Sequence, residues 1–257
     1  MNSWSRARKR IILAILIVAV GVLVGAPSFF LFRSTPSCSD NVMNGDEKGV
    51  DCGGSCQRLC RIESLPIVIK GDPRVLKVAT STYEVAALLE NPNQDARILH
   101  ARYTVSLYGE GSLAPLKTIQ GEVYVPKGAT LALFQGPFTL DAGGVPVRAI
   151  LEWDQNSLVW EKDAAKVPEL NVGKTAFSRL ESSPRLEAVI GNPTLDAVAN
   201  VDLTALLFDG QGNIVAASKT FIDALGPGEE KQAIFTWPRP FATLPVEIQI
   251  IATVLPR

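Results

Sequence analysis

Hydrophobic positions fall along this chain in two different ways. Between Ile11 and Phe32 they are continuous: IILAILIVAVGVLVGAPSFFLF holds no charged residue. After Cys60 they alternate with polar positions in short runs rich in β-branched residues, each closed by Gly, Pro, Asn or Asp. The continuous run predicts a helix of roughly 33 Å at 1.5 Å per residue, enough to cross the hydrocarbon core of a bilayer. The alternating runs predict strands with one buried face. Between them, Ser34 to Cys60 shows neither period and many turn formers, which predicts a small loop-built module.

The predicted strands are Pro66–Lys70, Leu76–Ala79, Tyr83–Asn91, Leu99–Tyr108, Leu116–Val125, Thr130–Phe134 and Val147–Trp153. They are followed by Leu170–Ser178, Arg185–Asn192, Val201–Asp209, Ile214–Ile222, Lys231–Trp237 and Val246–Val254. No helical period of crossover length separates them, so a parallel α/β sheet is not expected. The second half repeats the first. Asn91-Pro92 recurs as Asn192-Pro193, and Leu107-Tyr108 as Leu207-Phe208. Gly109 and Gly111 answer to Gly210 and Gly212, and Phe134 and Pro137 to Phe235 and Pro238. A period of about 100 residues is the size of one immunoglobulin-like sandwich. The expected organisation is a mainly β chain with residues 1–10 as a tail, 11–32 as a transmembrane helix and 34–62 as a Cys-rich module. Two tandem immunoglobulin-like β-sandwiches follow at 63–165 and 166–257, with a linker around Asp163–Pro168.

Alternation also names the core. Val201, Leu203, Ala205 and Leu207 share one face of their strand, and Asp202, Thr204, Leu206 and Phe208 the other. Tyr103, Val105 and Leu107 fall together against Arg102, Thr104, Ser106 and Tyr108. Trp153, Trp160 and Trp237 read as packing residues.

Charge orients the anchor. Arg6, Arg8, Lys9 and Arg10 precede the apolar run, and only Arg33 follows it before Asp40. This asymmetry predicts a cytoplasmic N-terminus and an extracytoplasmic body, with membrane lipid as a partner. A cleaved signal peptide is the competing reading, but its apolar region spans about 7–15 residues and ends at a small-x-small site. Here the run continues through Phe29, Phe30, Leu31 and Phe32. Pro27 lies near the outer end, where a helix tolerates it. Gly21 and Gly25 form a G-x-x-x-G, a signal for a homodimer through helix pairing. Net charge is −1, with 25 basic and 26 acidic residues, so no field points to nucleic acid.

All four cysteines, Cys38, Cys52, Cys56 and Cys60, lie in one window just beyond the apolar run. In an exported chain an even number predicts two disulfides, with three connectivities open. A four-cysteine zinc site is the alternative, but zinc sites bring cysteines in close pairs and Cys38 stands well before Cys52. The spacing lacks the C-x-x-C of redox catalysts. The same window carries Asp40, Asn44, Asp46, Glu47 and Asp51, with Gly45 and Gly49 as turns. Two readings of these oxygens stand side by side. One is a Ca²⁺-stiffened loop using Asp40, Asn44, Asp46 and Asp51; the other is a solvated acidic turn shaped by disulfides alone. No further cofactor is expected.

Cys38-Ser39-Asp40 through Asn44-Gly45-Asp46-Glu47 to Asp51-Cys52-Gly53-Gly54-Ser55-Cys56 resembles the C-x-D-x-x-x-N-G-D-E-x-x-x-D-C-G-G-x-C segment of many exported and cell-surface proteins. The resemblance covers about a tenth of the chain and implies surface display beside adhesive or sandwich domains. Asn41 stands where that segment has Gly. The run Leu206-Leu207-Phe208-Asp209-Gly210-Gln211-Gly212-Asn213-Ile214-Val215, with Leu225-Gly226-Pro227-Gly228-Glu229 and Phe235, is similar to the FxLYD-type bacterial sandwich domain. The first repeat departs from it at Gly109 and at Lys127-Gly128. The family implies a binding or spacer role at the envelope, with no catalytic residue to carry over.

Catalytic patterns are missing. The one histidine, His100, lies within a strand-like run, and no G-x-S-x-G, H-E-x-x-H, P-loop or G-x-G-x-x-G is present. Gly109-Glu110-Gly111-Ser112 and Gly210-Gln211-Gly212-Asn213 read as hairpin turns. The expected function is non-catalytic: binding, adhesion or spacing at the cell surface, with a protein partner there. An accessory subunit of a secretion or pilus-type assembly is the first alternative. An exported hydrolase using carboxylates alone is the second.

Overall fold

The computed structural model describes residues 3–32, 37–140 and 144–256, with side chains in the helix described from Arg8 to Gly25. Arg33 and the residues opening the Cys-rich module therefore lie outside the described residues, as do the side chains of Arg6, Pro27 and Phe29 to Phe32. The chain divides into two compact units, Met1–Cys56 and Gln57–Arg257.

The first unit holds α1, Ser3–Phe32, and the loop module. No helix among the described residues is long and apolar enough to cross a membrane.

The second unit is built from strands. β1 (Val68–Lys77), β2 (Thr82–Glu90) and β5 (Thr130–Thr139) form one antiparallel sheet. β4 (Lys117–Val125), β3 (Ala96–Gly109) and β6 (Pro146–Trp153) form a second, and the two-residue β7 (Glu161–Lys162) adds to β3. The same orders recur in the second half: β8 (Asn171–Ser178), β9 (Arg185–Gly191) and β12 (Glu230–Thr236) in one sheet, β11 (Ile214–Leu225), β10 (Val198–Phe208) and β13 (Glu247–Val254) in the other. The repeat seen in sequence is thus a repeat of topology.

Each half encloses its own core between its two sheets. Val85, Ala87 and Leu89 of β2 meet Val105 and Leu107 of β3, with Leu131 and Leu133 of β5. Leu186, Ala188 and Ile190 of β9 meet Leu203, Ala205 and Leu207 of β10, with Phe235 of β12. These are the alternating faces expected from sequence. Trp160 and Trp237 are buried in the two cores, and Trp153 packs partly buried against the first.

Several strand boundaries differ from expectation: β5 runs past Phe134 to Thr139, β11 past Ile222 to Leu225, β10 begins at Val198, and β7 was not expected. Pro66–Lys70 and Leu76–Ala79 are not two strands but the two halves of β1, joined across a bulge between Lys70 and Arg74. Gly71 there takes φ 75°, and β2 pairs with both sides of the bulge, from Val68↔Glu90 to Lys77↔Tyr83. Gly71 and Pro73 signalled a break, while the partner strand kept the element continuous.

The two repeated asparagines act as stitches. Asn91 is buried, and its Nδ2 donates to the carbonyls of Ala96 and Pro126 at 2.8 Å each. Asn192 is equally buried, and its Nδ2 donates to the carbonyls of Asp196 (2.8 Å), Leu225 (3.2 Å) and Gly226 (3.0 Å). Each closes the end of its sandwich by bonding carbonyls from two separate parts of the chain. Gly128 and Gly228, at φ 53° and 68°, turn the chain beside them.

A third cluster lies outside both cores. Leu76 and Ala86, with Leu88, Ala132 and Phe134 against them, pack on Leu206, Phe208, Ile214 and Ala217. The outer face of the β1-β2-β5 sheet is thereby laid on the outer face of the β11-β10-β13 sheet. β10 is consequently buried on both sides from Leu203 to Phe208.

Candidate functional site

Two places gather chemistry: the oxidised loop of the first unit, and the seam between the sandwiches in the second.

In the loop, Cys38 is bonded to Cys56, Cys52 and Cys60 are also in disulfides, and no described cysteine is free. The acidic side chains serve the backbone. Asp51 accepts the main-chain N–H of Asp40 at 2.9 Å and of Asn41 at 3.0 Å, tying the start of the loop to its end. Asp40 accepts from the Val42 N–H at 2.9 Å and from Asn44 Nδ2 at 2.8 Å. The Asn44 bond, with help from Val42, holds the Asp40 carboxyl below its ordinary range. Asp46 accepts from Ser55 Oγ at 2.7 Å, and Glu47 from the Asn44 N–H at 3.1 Å.

Gly54, at φ 54°, runs so close to the Asp46 carbonyl that any Cβ would overlap it. Asn41 has φ 58°, the left-handed region where the segment it resembles uses Gly. Of the residues named for Ca²⁺, Asp40, Asp46 and Asp51 each spend oxygen on those bonds, whereas Asn44 Oδ1 is buried with no hydrogen-bond partner. Among the described residues, one group brings three ligand-type atoms within 4.8 Å, namely Cys38, Glu47 and Cys56. Two of those atoms are the sulfurs of one disulfide.

The seam carries a cavity toward each end. The first, about 330 Å³, is lined by His100, Glu122 and Tyr124 from one sandwich and by Asp202, Thr204 and Lys219 from the other. Its carboxylates are both engaged: His100 Nδ1 lies 2.6 Å from Glu122 Oε1, and Lys219 Nζ lies 2.6 Å from Asp202 Oδ2. It offers a Lys–Asp ion pair and a His–Glu contact rather than the free acid and free base of a hydrolytic site.

The second cavity, about 510 Å³, lies among β1, β11 and the loop after β12. Arg74, Lys77, Trp237, Arg239 and Phe241 line it, with Glu84 of β2. Glu84 Oε2 is buried without a hydrogen-bond partner, and burial pushes the Glu84 carboxyl up to about 7. The charged groups around it are Arg74 and Lys77 on β1 and Arg239 on the opposite loop, the last donating to Thr80 Oγ1 at 3.1 Å.

Because the folded carboxyl binds its proton more tightly than the unfolded one, the second unit loses stability as pH rises from about 4.5 to about 7, and no more above that. The expected loss is about 1–2 kcal/mol, less than full burial would give because part of the side chain is wet. Thermal melting of wild type against Glu84→Gln at pH 5 and pH 8 measures it. The wild-type midpoint should fall between the two while the variant's stays level.

The seam was not expected from sequence. A signal for it exists all the same: Leu206 and Phe208 lie on the face of β10 opposite the core positions, so the strand is apolar on both sides. A strand of that kind belongs to a sheet covered on both faces. Gly21 and Gly25 of α1 have open space beside them.

No protein-family model matches the chain, and no curated protein matches it in sequence. Among solved structures, a red sea bream transglutaminase is 12% identical with a TM-score of 0.22, over 75% of this chain and 31% of its own. A beta-glucuronidase from glycoside hydrolase family 2 is 12% identical with a TM-score of 0.21, over 81% of this chain and 26% of its own. The chain thus spans less than a third of either, and likenesses this slight say nothing of its chemistry.

Proposed function

We propose that this chain is a single-pass membrane protein with its N-terminus in the cytoplasm, whose extracytoplasmic body works without catalysis, by binding or spacing at the cell envelope. One observation carries the reading. The large apolar side chains described along α1, from Ile11 to Val24, are all between 53% and 76% exposed and occupy every side of the helix. In water such a surface costs roughly 1.5 kcal/mol or more per side chain, whereas lipid accepts it on all faces at once.

The basic cluster Arg8, Lys9, Arg10 before it supports the orientation, and four oxidised cysteines suit an exported compartment. The sandwiches are read as immunoglobulin-like, FxLYD-type domains, since each has two antiparallel sheets whose main strands follow the same order, with β7 added to the first. The alternative, an accessory subunit of a secretion or pilus-type assembly, is favoured by the edge strand β8, exposed along nearly its whole length.

Carbonate extraction of membranes, followed by protease treatment of whole cells, tests the proposal. The full-length chain should stay in the carbonate pellet, with its body cleaved from outside and an N-terminal epitope protected. Release into the supernatant, or a protected body, would refute it.

A further inference from the structure

The two seam cavities differ in what their charges do. Around the smaller one both carboxylates are engaged, Glu122 with His100 and Asp202 with Lys219. Around the larger one Arg74, Lys77 and Arg239 form no ion pair among the described residues. Arg239 spends one N–H on Thr80 Oγ1. Arg74 stands within electrostatic reach of Asp209 on the β10-β11 hairpin, whose Oδ1 already accepts from the Gln211 and Asn213 N–H groups.

Strand register puts an acid beneath these cations. Leu76 of β1 is the cross-strand partner of Glu84, and Arg74 that of Ala86, so all four belong to the sheet face that meets the second sandwich. β11 covers Glu84 with the short Ala216 and Ala217, which leaves a space of about 510 Å³, within the range of small-ligand sites of roughly 300–1,000 Å³. Trp237 spends its indole N–H on the Ala217 carbonyl at 2.8 Å and meets the Phe241 ring edge to face at 5.1 Å. With Pro240, these rings give the cavity an apolar wall.

Glu84 lacks what a buried carboxyl ordinarily has, because its Oε2 is out of water and has no partner in the chain. The charges that line the cavity with it are Arg74 and Lys77 of β1 and Arg239 of the loop after β12. β5 packs the uncharged Gly136 against it, and β11 presents only Ile214 to Ala217. Burial keeps its proton on up to about pH 7. A carboxyl in that form is a hydrogen-bond donor, and the acceptor that suits it best is an anion.

We propose that this cavity binds an organic anion, a carboxylate carried on a flat apolar body, with Glu84 donating a hydrogen bond to it. Lys77 and Arg239 flank the charge, and Phe241 and Pro240 pack against the body. A free aromatic acid and the C-terminal residue of a peptide share this chemistry. The site deepens the binding reading given above and rests on it, but it requires neither the anchor nor the orientation.

Titration calorimetry of the full-length chain in lipid nanodiscs, with empty discs as blank, tests it with phenylacetate and phenylacetamide, which differ in charge and scarcely in shape. At pH 6 the acid should bind about tenfold more tightly than the amide, the increment of a charge-assisted hydrogen bond. Affinity for phenylacetate should fall about tenfold from pH 6 to pH 8, because a group titrating near 7 keeps its proton in about nine molecules of ten at the first and about one in ten at the second. Glu84→Gln supplies an N–H donor that does not titrate. It should level the slope and bind phenylacetate at pH 8 about tenfold more tightly than wild type, a gain that misfolding cannot produce. Lys77→Glu and Arg239→Glu should each weaken binding about fivefold, while Lys174→Glu, the same change on the exposed strand β8, should not.

N-acetylphenylalanine stands in for the end of a peptide. Tighter binding of it than of phenylacetate supports the site and assigns it to peptide C-termini, and the reverse order supports it for free acids. Equal binding of acid and amide, binding of neither, or a wild-type pH slope in Glu84→Gln would overturn the proposal and leave the anchor standing. Loss of the chain from the carbonate pellet would overturn the anchor and leave this site.

Discussion

Replacing Asn192 with alanine is expected to destabilise the second sandwich by about 3–4 kcal/mol, lowering its melting midpoint by roughly 10 °C. The side chain is almost fully buried, donates to three carbonyls, and accepts through Oδ1 from the Thr194 N–H at 3.1 Å and Thr194 Oγ1 at 2.6 Å. Truncation takes the donor from the Leu225 and Gly226 carbonyls, while the Asp196 carbonyl keeps Thr194 Oγ1 at 2.9 Å, and that loss outweighs the few methylene equivalents removed. Asn192→Asp separates the two causes. It keeps the volume but turns the donor into an acceptor facing those carbonyls, so it should cost at least as much as alanine. If Asn192→Asp melts like wild type, the stitch is a matter of packing and the hydrogen-bond account fails. Calorimetry of the purified protein measures all three.

A second large effect is expected at the seam. Leu206 is fully buried yet points away from the core of its own sandwich, into the cluster with Leu76, Ala86 and Phe208. Leu206→Asp should part the two sandwiches by burying an unpaired carboxylate there, at a cost of about 3–5 kcal/mol to their association. The core positions Leu203, Ala205 and Leu207 are untouched. The expected signature is therefore an increased radius of gyration in solution scattering and faster proteolysis near Lys166, with near-ultraviolet circular dichroism largely kept. Leu206→Ala, which leaves a cavity without a charge, should cost about 2–3 kcal/mol and open the seam less. An unchanged radius in the aspartate variant would mean that the seam is held by something other than this cluster.

The strands were legible because their signal is local. An alternation of period two in Val201 to Phe208 names a strand and its two faces without reference to anything else in the chain. The repeat was legible for the same reason, since the Asn-Pro pairs and the Gly-x-Gly turns recur in order. What escaped is whatever depends on a partner far along the chain. Lys70 and Arg74 belong to one strand only because β2 pairs on both sides of the bulge between them. Glu84 reads as an ordinary polar strand residue, and becomes a buried acid only when β11 and the loop after β12 are laid over it. The linker expected at Asp163–Pro168 begins as part of the first sandwich. Asp163 is buried, its N–H bonds the Asp95 carbonyl at 2.8 Å, and its own carbonyl accepts from Lys127 Nζ at 2.6 Å.

The oxidised loop divides in the same manner. Its glycines, its Asn41 and its even cysteine count were visible as residue types, and their backbone angles agree with those types. Which cysteine Cys38 joins, and which carboxylates spend their oxygens on backbone N–H groups, depends on how the loop closes on itself.

By itself, then, the sequence determined what periodicity and composition can carry: a long uncharged apolar run, a cysteine-bearing loop, and two repeats of strands with one face marked for burial. Each of these follows from neighbours within a few residues, where backbone geometry dictates which side chains share a face. The tertiary structure alone decided that the repeats lie face to face, that Asn91 and Asn192 close their sandwiches, and that Glu84 loses its water. Those outcomes turn on surfaces meeting across tens of residues, and a pattern read along one strand holds no information about which sheet will cover it.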